Sequence, residues 1–197
     1  MEDTRATVDR TEAGLPAPGT WVIDSAHTSV GFVARYLMVT RVRGHFPAFE
    51  GNIEIAEAPE DSRVEVTIDA ASVDTRNEGR DQHLRSPDFL DVERYPQLTF
   101  RSTKVERTGP SSLAVEGDLT IRDVTKPVTL DVEFEGTGAD PWGKTRVAFS
   151  ARGQIDREGW GITWNQALEA GGVLVGRKVD IELEVQAVQS AADEQMP

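Results

Sequence analysis

Apolar residues recur at every second position along most of this chain. Val30, Phe32 and Ala34 share one face of a segment whose other face is Ser29, Gly31 and Val33. Val64, Val66 and Ile68 alternate with Glu65, Thr67 and Asp69; Val128, Leu130, Val132 and Phe134 repeat the pattern, and Val179, Ile181, Leu183, Val185 and Ala187 keep it strictly. A period of two sends alternate side chains to opposite faces of a strand. An apolar face backed by a polar one marks an antiparallel sheet with one side in water. Strands are also predicted over residues 20–24, 42–46, 49–55, 98–107, 113–121 (with Gly117 as a kink) and 147–155. Pro47 shifts the parity between 42–46 and 49–55, which predicts one long strand bent to serve two sides of a closed sheet. Turns are predicted at 24–27, 56–61, 109–111, 123–127 and 136–143, a helical turn over 35–40, and irregular structure over 159–172.

Apart from that single turn, helix signal is confined to residues 77–84. Pro87 stops it, because its ring clashes with the preceding turn and it has no N–H to give. Residues 88–95 then alternate acids with Phe89, Leu90, Val92 and Tyr95 before Pro96 punctuates again. This is too little helix for βαβ units. Two all-β architectures fit: an antiparallel barrel of about eight strands, which leaves no exposed edge, and a two-sheet sandwich. The insertion at 79–100 gathers Leu84, Phe89, Leu90 and Tyr95, which suits a lid over the open end of a sheet as well as a plain crossover loop.

A chain of 197 residues is expected to form one domain, here spanning 20–188 between flexible tails at 1–19 and 189–197. The formal net charge of -13 repels nucleic acid and anionic surfaces. With no cysteine, disulfides, thiolate catalysis and cysteine-based zinc sites are excluded. Nothing resembles a membrane span. The acidic first residues lack the apolar run of a signal peptide, so the expected location is cytoplasmic, or exported had a leader been removed.

Several chemistries are open to these residues. The apolar face comprises Val30, Phe32, Phe46, Val66, Ile68, Leu98, Phe100, Leu119, Val132, Phe149 and Ile181, with Leu84 and Phe89 from the lid. It could fill the interior of a small barrel or leave room for one ligand, and periodicity does not separate the two. His27, His45 and His83 lie on three separate segments without the paired spacing of a metal site, so no metal is expected. Asp24 with His27, or Asp81 with His83, would make a carboxylate–imidazole dyad near Ser29 or Ser86, but no Gly-x-Ser-x-Gly elbow accompanies them. Hydrogen bonding is the expected role of these histidines, His27 within the turn near Asp24 and His83 in orienting the lid.

Five segments in order carry a family resemblance: WVIDSAHTSVGFVARYL, VRGHFPAFEGNIEI, DQHLRSPDFLDVERYPQLTFRST, VEGDLTIRDVTKPVTLDVEFEG, and AFSARGQIDREGWGITWN followed by VGRKVDIELEVQA. Together they resemble the YceI-like family of lipocalin-like, polyisoprenoid-binding proteins over about residues 20–188. In one motif the chain departs from the family pattern: DREGWG keeps the Arg and Gly around an inserted-looking Glu158. The resemblance implies the barrel rather than the sandwich, and a hollow interior whose apolar face binds a long isoprenoid or similar lipid, such as a polyprenyl phosphate or quinone, without catalysis. It implies no obligatory cofactor beyond that lipid, no nucleic acid and no stable membrane insertion, and it leaves a homodimer open. A charged head group would need a cation. Arg35, Arg41, Arg43, Arg80 and Arg85 are the candidates, and Arg85 with His83, both in the lid motif, are the expected head-group contacts. Trp160 and Trp164 are expected to flank one end of the barrel.

Overall fold

In the computed structural model, which describes residues 14–169 and 171–190, ten strands make one antiparallel sheet. They are β1 (Gly19–Ile23), β2 (Ser29–Tyr36), β3 (Thr40–His45), β4 (Phe49–Ile55), β5 (Arg63–Asp69), β6 (Gln97–Arg107), β7 (Ser112–Ile121), β8 (Val124–Ala139), β9 (Thr145–Asp156) and β10 (Val175–Gln189). One helix, α1 (Glu78–Arg85), lies between β5 and β6. The hydrogen-bonded order β1-β4-β5-β6-β7-β8-β9-β10 returns to β1, so these strands close into an 8-strand barrel.

β10 is long enough to carry two neighbours on one edge. Its C-terminal part pairs with β1, from Trp21↔Gln189 to Ile23↔Ala187. Its N-terminal part pairs with β2, from Val179↔Ala34 to Glu184↔Ser29. The β2–β3 hairpin therefore continues the wall above β1, at the end of the barrel where α1 lies. Beyond its pairing with β2, the backbone of β3 meets the rest of the chain through the bridge between His45 and Asp74. Pro47 does divide the strand run in two: β3 serves β2, while β4 serves β1 and β5.

Several boundaries differ from the sequence expectation. Residues 35–40 are not a helical turn. β2 runs through Tyr36, and Leu37 and Met38 turn the chain at φ 51 and 64 before β3. The turn expected at 123–127 shrinks to Arg122 and Asp123, and Pro127 sits inside β8 opposite Asp118. Proline is tolerated there because β8 does not pair with β9 until Asp131, so no ladder on that edge needs the missing N–H. β8 also runs on to Ala139, through the first half of the glycine-rich stretch expected as a turn. The irregularity expected at Gly117 lies on its partner, as a register shift between Ser102 and Lys104 of β6. Of the expected tails, residues 1–13 and 191–197 lie outside the described residues. Pro16 is buried, and β10 continues to Gln189.

α1 starts where Asn77, in an extended conformation, accepts a hydrogen bond from the Arg80 N–H. Buried Asp81 fastens the helix to the preceding segment by accepting bonds from the Thr75 N–H (2.9 Å) and hydroxyl (2.5 Å). After Pro87 the chain folds back: the Leu90 N–H donates to the Leu84 carbonyl and the Val92 N–H to that of Arg85. Leu84, Phe89 and Leu90 are thereby turned onto the barrel end.

Candidate ligand-binding lumen

The inward faces of the strands enclose space rather than filling it. Val66, Phe100, Val132, Ile181 and Leu183 point inward yet are only partly buried, because they border the lumen instead of opposing side chains. The lumen has two lobes. The lid-end lobe, about 260 Å³, lies beneath Leu84, Phe89 and Leu90 and is bordered by β-branched, leucine and phenylalanine side chains; among the described residues only Thr28 and Arg157 bring polar side chains to its lining. The far-end lobe, about 400 Å³, runs from Phe100, Leu130 and Val132 to a rim where Glu57, Ser62, Arg63 and Arg107 stand. Leu15, Pro16, Ala17 and Pro18 form one wall of that rim, so the end of the expected tail is part of the vessel. The lobes meet at a waist where Ile23, Val66, Phe100, Leu130, Leu183 and Val185 line both. Each lobe is of the order of a small-molecule site, typically ~300–1,000 Å³.

Glycines let aromatic rings lie flat against this wall. A Cβ on Gly44 would stand 2.3 Å from the Phe32 ring, and one on Gly117 would stand 2.4 Å from that of Phe100. Both rings therefore occupy the volume that a side chain at the glycine would take.

Every position of the apolar face expected from the sequence borders the lumen, as do Leu84 and Phe89 from the lid, whereas Tyr95 lies under the guanidinium groups of Arg94 and Arg122. Val30, Phe32, Phe46, Ile68, Leu84, Phe89, Leu98, Leu119 and Ile181 line the lid-end lobe, Val132 and Phe149 the far-end lobe, and Val66 and Phe100 both. The expected head-group residues do not border it. The Arg85 guanidinium donates to the carbonyls of Ala71 (2.8 Å) and Val73 (3.0 Å) and pairs with Glu78. The His83 Nε2 lies 2.8 Å from the Asp88 carboxylate, and its ring is edge-on to Phe89 and Trp164, so it braces the lid. Arg80 is spent on Thr75, while Arg41 and Arg43 face Asp180 and Glu182 on the outer wall. Side chains in a lid motif read as head-group contacts because sequence shows their charge but not the backbone carbonyls that satisfy them.

Two residues that matter at the ends were missed. Arg157 is buried and, among the described residues, hydrogen-bonds carbonyls rather than a carboxylate, with Asp156 and Glu158 acting on it only through their charge. Its guanidinium donates to the carbonyls of Ile162 (2.7 Å), Gly176 (3.0 Å), Trp164 (3.0 Å) and Val175 (3.3 Å), tying the 161–174 loop to the start of β10, and burial pushes its pKa down. Arg146 joins Asp24 (2.5 Å), Asp140 (3.0 Å) and Gln186 (3.0 Å); its hydrogen bond holds the Asp24 carboxyl at about 2, below the ordinary 3.8. The Asp in DREGWG was the available signal for the first, since it precedes a buried turn in which the Trp160 indole donates to the Leu119 carbonyl. The second has one local partner, Asp140 six residues upstream across the β8–β9 turn, while Asp24 and Gln186 lie on distant segments that the sequence does not connect to it.

The carboxylate–imidazole pairs are only half formed. His27 does bond Asp24 at 2.8 Å, but on an exposed turn, while Asp81 faces Thr75 and not His83. Among the described residues no group of three or more His, Asp or Glu is placed to hold a metal ion, and no helix is long and apolar enough to cross a membrane.

Comparison with known proteins agrees with this geometry. Residues 21–187 match the family described as YceI-like domain. Protein YceI of Escherichia coli O157:H7 is 38% identical over 180 residues, covering 90% of this chain and 91% of that one. The crystal structure of Burkholderia cenocepacia BcnA superposes with a TM-score of 0.73 at 24% identity, over 83% of this chain and 98% of its own. A polyisoprenoid binding domain from Saccharophagus degradans gives 0.64 at 14% identity, over 88% and 100%.

Proposed function

Since the chain belongs to the YceI-like domain family, we propose that it binds, sequesters and carries a long-chain isoprenoid or similar lipid, a polyprenyl phosphate or quinone, in its lumen and without catalysis. The observation that carries this reading is the two-lobed lumen, walled by carbon from the lid to the far rim. The barrel it shares with a protein described as a polyisoprenoid binding domain supports it. An extended apolar tail fits such a space better than a compact polar substrate. Each methylene moved out of water contributes about 0.8 kcal/mol, so a chain long enough to cross the waist binds well with few polar contacts.

Displacement of a fluorescent fatty-acid probe by polyprenyl phosphates of increasing length tests this. Affinity is expected to rise with length and then level off once both lobes are filled. Leu183→Trp, at the waist, should weaken the long chains about tenfold or more and leave short ones nearly unchanged. Failure of every chain length to displace the probe would remove the carrier reading.

A further inference from the structure

Outside the lumen, the most unusual surface is the tip of the β2–β3 hairpin. Tyr36, Leu37, Met38 and Val39 are consecutive and exposed, at 40%, 40%, 58% and 75%. Exposed apolar residues scattered singly are ordinary, but a run of large ones at a hairpin tip, here held to the chain by the Leu37 N–H donating to the Leu174 carbonyl (2.9 Å), marks a contact surface. The backbone makes the run stranger. Leu37 and Met38 both have positive φ, where Asn and Gly are favoured and a branched or long side chain is strained. The turn thus keeps two large apolar residues against its own conformational preference, and strain held in this way points to function.

Two features say what the tip meets. Arg35, Arg41 and Arg43 flank it on the same hairpin and are exposed, a basic collar on a chain whose formal net charge is -13. Arg41 and Arg43 reach Asp180 and Glu182 only at 3.8 and 3.9 Å, so their charge is weakly committed. An apolar tip with three arginines beside it on the hairpin's outer face suits the interface of a lipid bilayer, where the apolar side chains enter the acyl boundary and the cations stay with the phosphates. The second feature is continuity. On the inward face of β2, Val30, Phe32 and Ala34 line the lid-end lobe, and Tyr36 is the next residue on that face. Beside it the outer edge of β3 has no strand paired to it among the described residues above the His45–Asp74 bridge.

We propose that the 36–39 hairpin tip docks on a bilayer containing anionic lipid, dipping Leu37, Met38 and Val39 into it, and that the inward face of β2 is the apolar path between that bilayer and the lumen. The docking rests on the hairpin alone, and only its use in loading and unloading rests on the carrier reading.

Flotation of the full chain with phosphatidylcholine vesicles, with and without a minor share of phosphatidylglycerol, tests it. The protein is expected to float with the mixed vesicles and more weakly with phosphatidylcholine alone. Leu37→Ser with Met38→Ser and Val39→Ser should cut partitioning about tenfold or more. Leu37→Asn with Met38→Gly suits the turn, so it should lose partitioning while keeping or raising the melting temperature, which excludes misfolding as the cause. Trp142, 82% exposed on the β8–β9 turn at the other end of the barrel, is the control: Trp142→Ser should float like the parent. Uptake of a soluble fluorescent probe by the hairpin variants should be unchanged, which separates failure of docking from failure of the carrier reading. The proposal is overturned if the parent stays out of the floating fraction, if the hairpin variants float equally well, or if Trp142→Ser is the variant that fails. It is also overturned if the tip instead holds two copies together, seen as a dimer that the triple variant dissociates without any flotation of the parent.

Discussion

Arg157 does in this chain what a small core would otherwise have to do, holding an irregular loop against the barrel end by four backbone carbonyls. Replacing it with Leu would leave those acceptors buried and unpaired, at about 1–3 kcal/mol for each that water cannot reach. Arg157→Leu is therefore expected to lower the denaturant midpoint by an amount equivalent to about 3 kcal/mol or more. Arg157→Lys should recover little, because one ammonium cannot span the fork. The Asp24–Arg146 pair makes a pH-dependent contribution. A carboxyl held at about 2 when its ordinary value is 3.8 stabilises the fold fully above the higher value, and the benefit fades as pH falls through the lower one. Arg146→Gln should thus melt below the parent by a constant interval at neutral and mildly acid pH, and thermal scans should show that interval closing between pH 3.8 and about 2. An interval that stayed constant to the acid end would mean that Arg146 acts by packing alone.

At the scale of elements, strands were legible where one face meets the lumen and the other meets water, because that contrast writes a period of two into the sequence. The 35–40 stretch was misread because Leu37, Met38 and Val39 carry no turn residue; Asn or Gly there would have announced the hairpin. Pro127 was read as a turn since a proline usually excludes a paired strand, and sequence does not reveal that one edge of β8 is free at that point. The lid was legible as a helix with a proline stop, but its fastening was not, because Asp81, His83 and Arg85 bond partners that only the folded chain brings near. The glycines that seat aromatic rings are a testable element property. A side chain at Gly117 must displace the Phe100 ring, which borders the waist, and also crowds the Arg101 carbonyl, 2.7 Å from the Cβ position. Gly117→Val is expected to cost about 1–3 kcal/mol in stability and, more tellingly, to weaken long-chain ligands in the displacement assay more than short ones. Equal weakening of both would mean that the ring does not move into the lumen.

Across the whole molecule, the sequence could say that a closed all-β wall with an apolar inner face forms, but not whether that face meets itself. Phe, Val and Ile alternate in the same way in a filled barrel and in a hollow one. The hollow is set by strand number and by the glycines that let rings lie flat against the wall, and both are products of closure. Eight closed strands with mostly branched side chains leave a lumen that outer-face charges cannot enter, and the lid and the Leu15–Pro18 wall shape its two ends. The most direct measurement is native mass spectrometry of the purified chain, delipidated and then exposed to a polyprenyl phosphate, with the Leu183→Trp variant beside it. One lipid per chain is expected on the parent, retained through gentle activation, and much reduced on the variant. A parent that emerges at its bare polypeptide mass after exposure, or that carries lipid no better than the plugged variant, would contradict a lumen built to hold an isoprenoid tail.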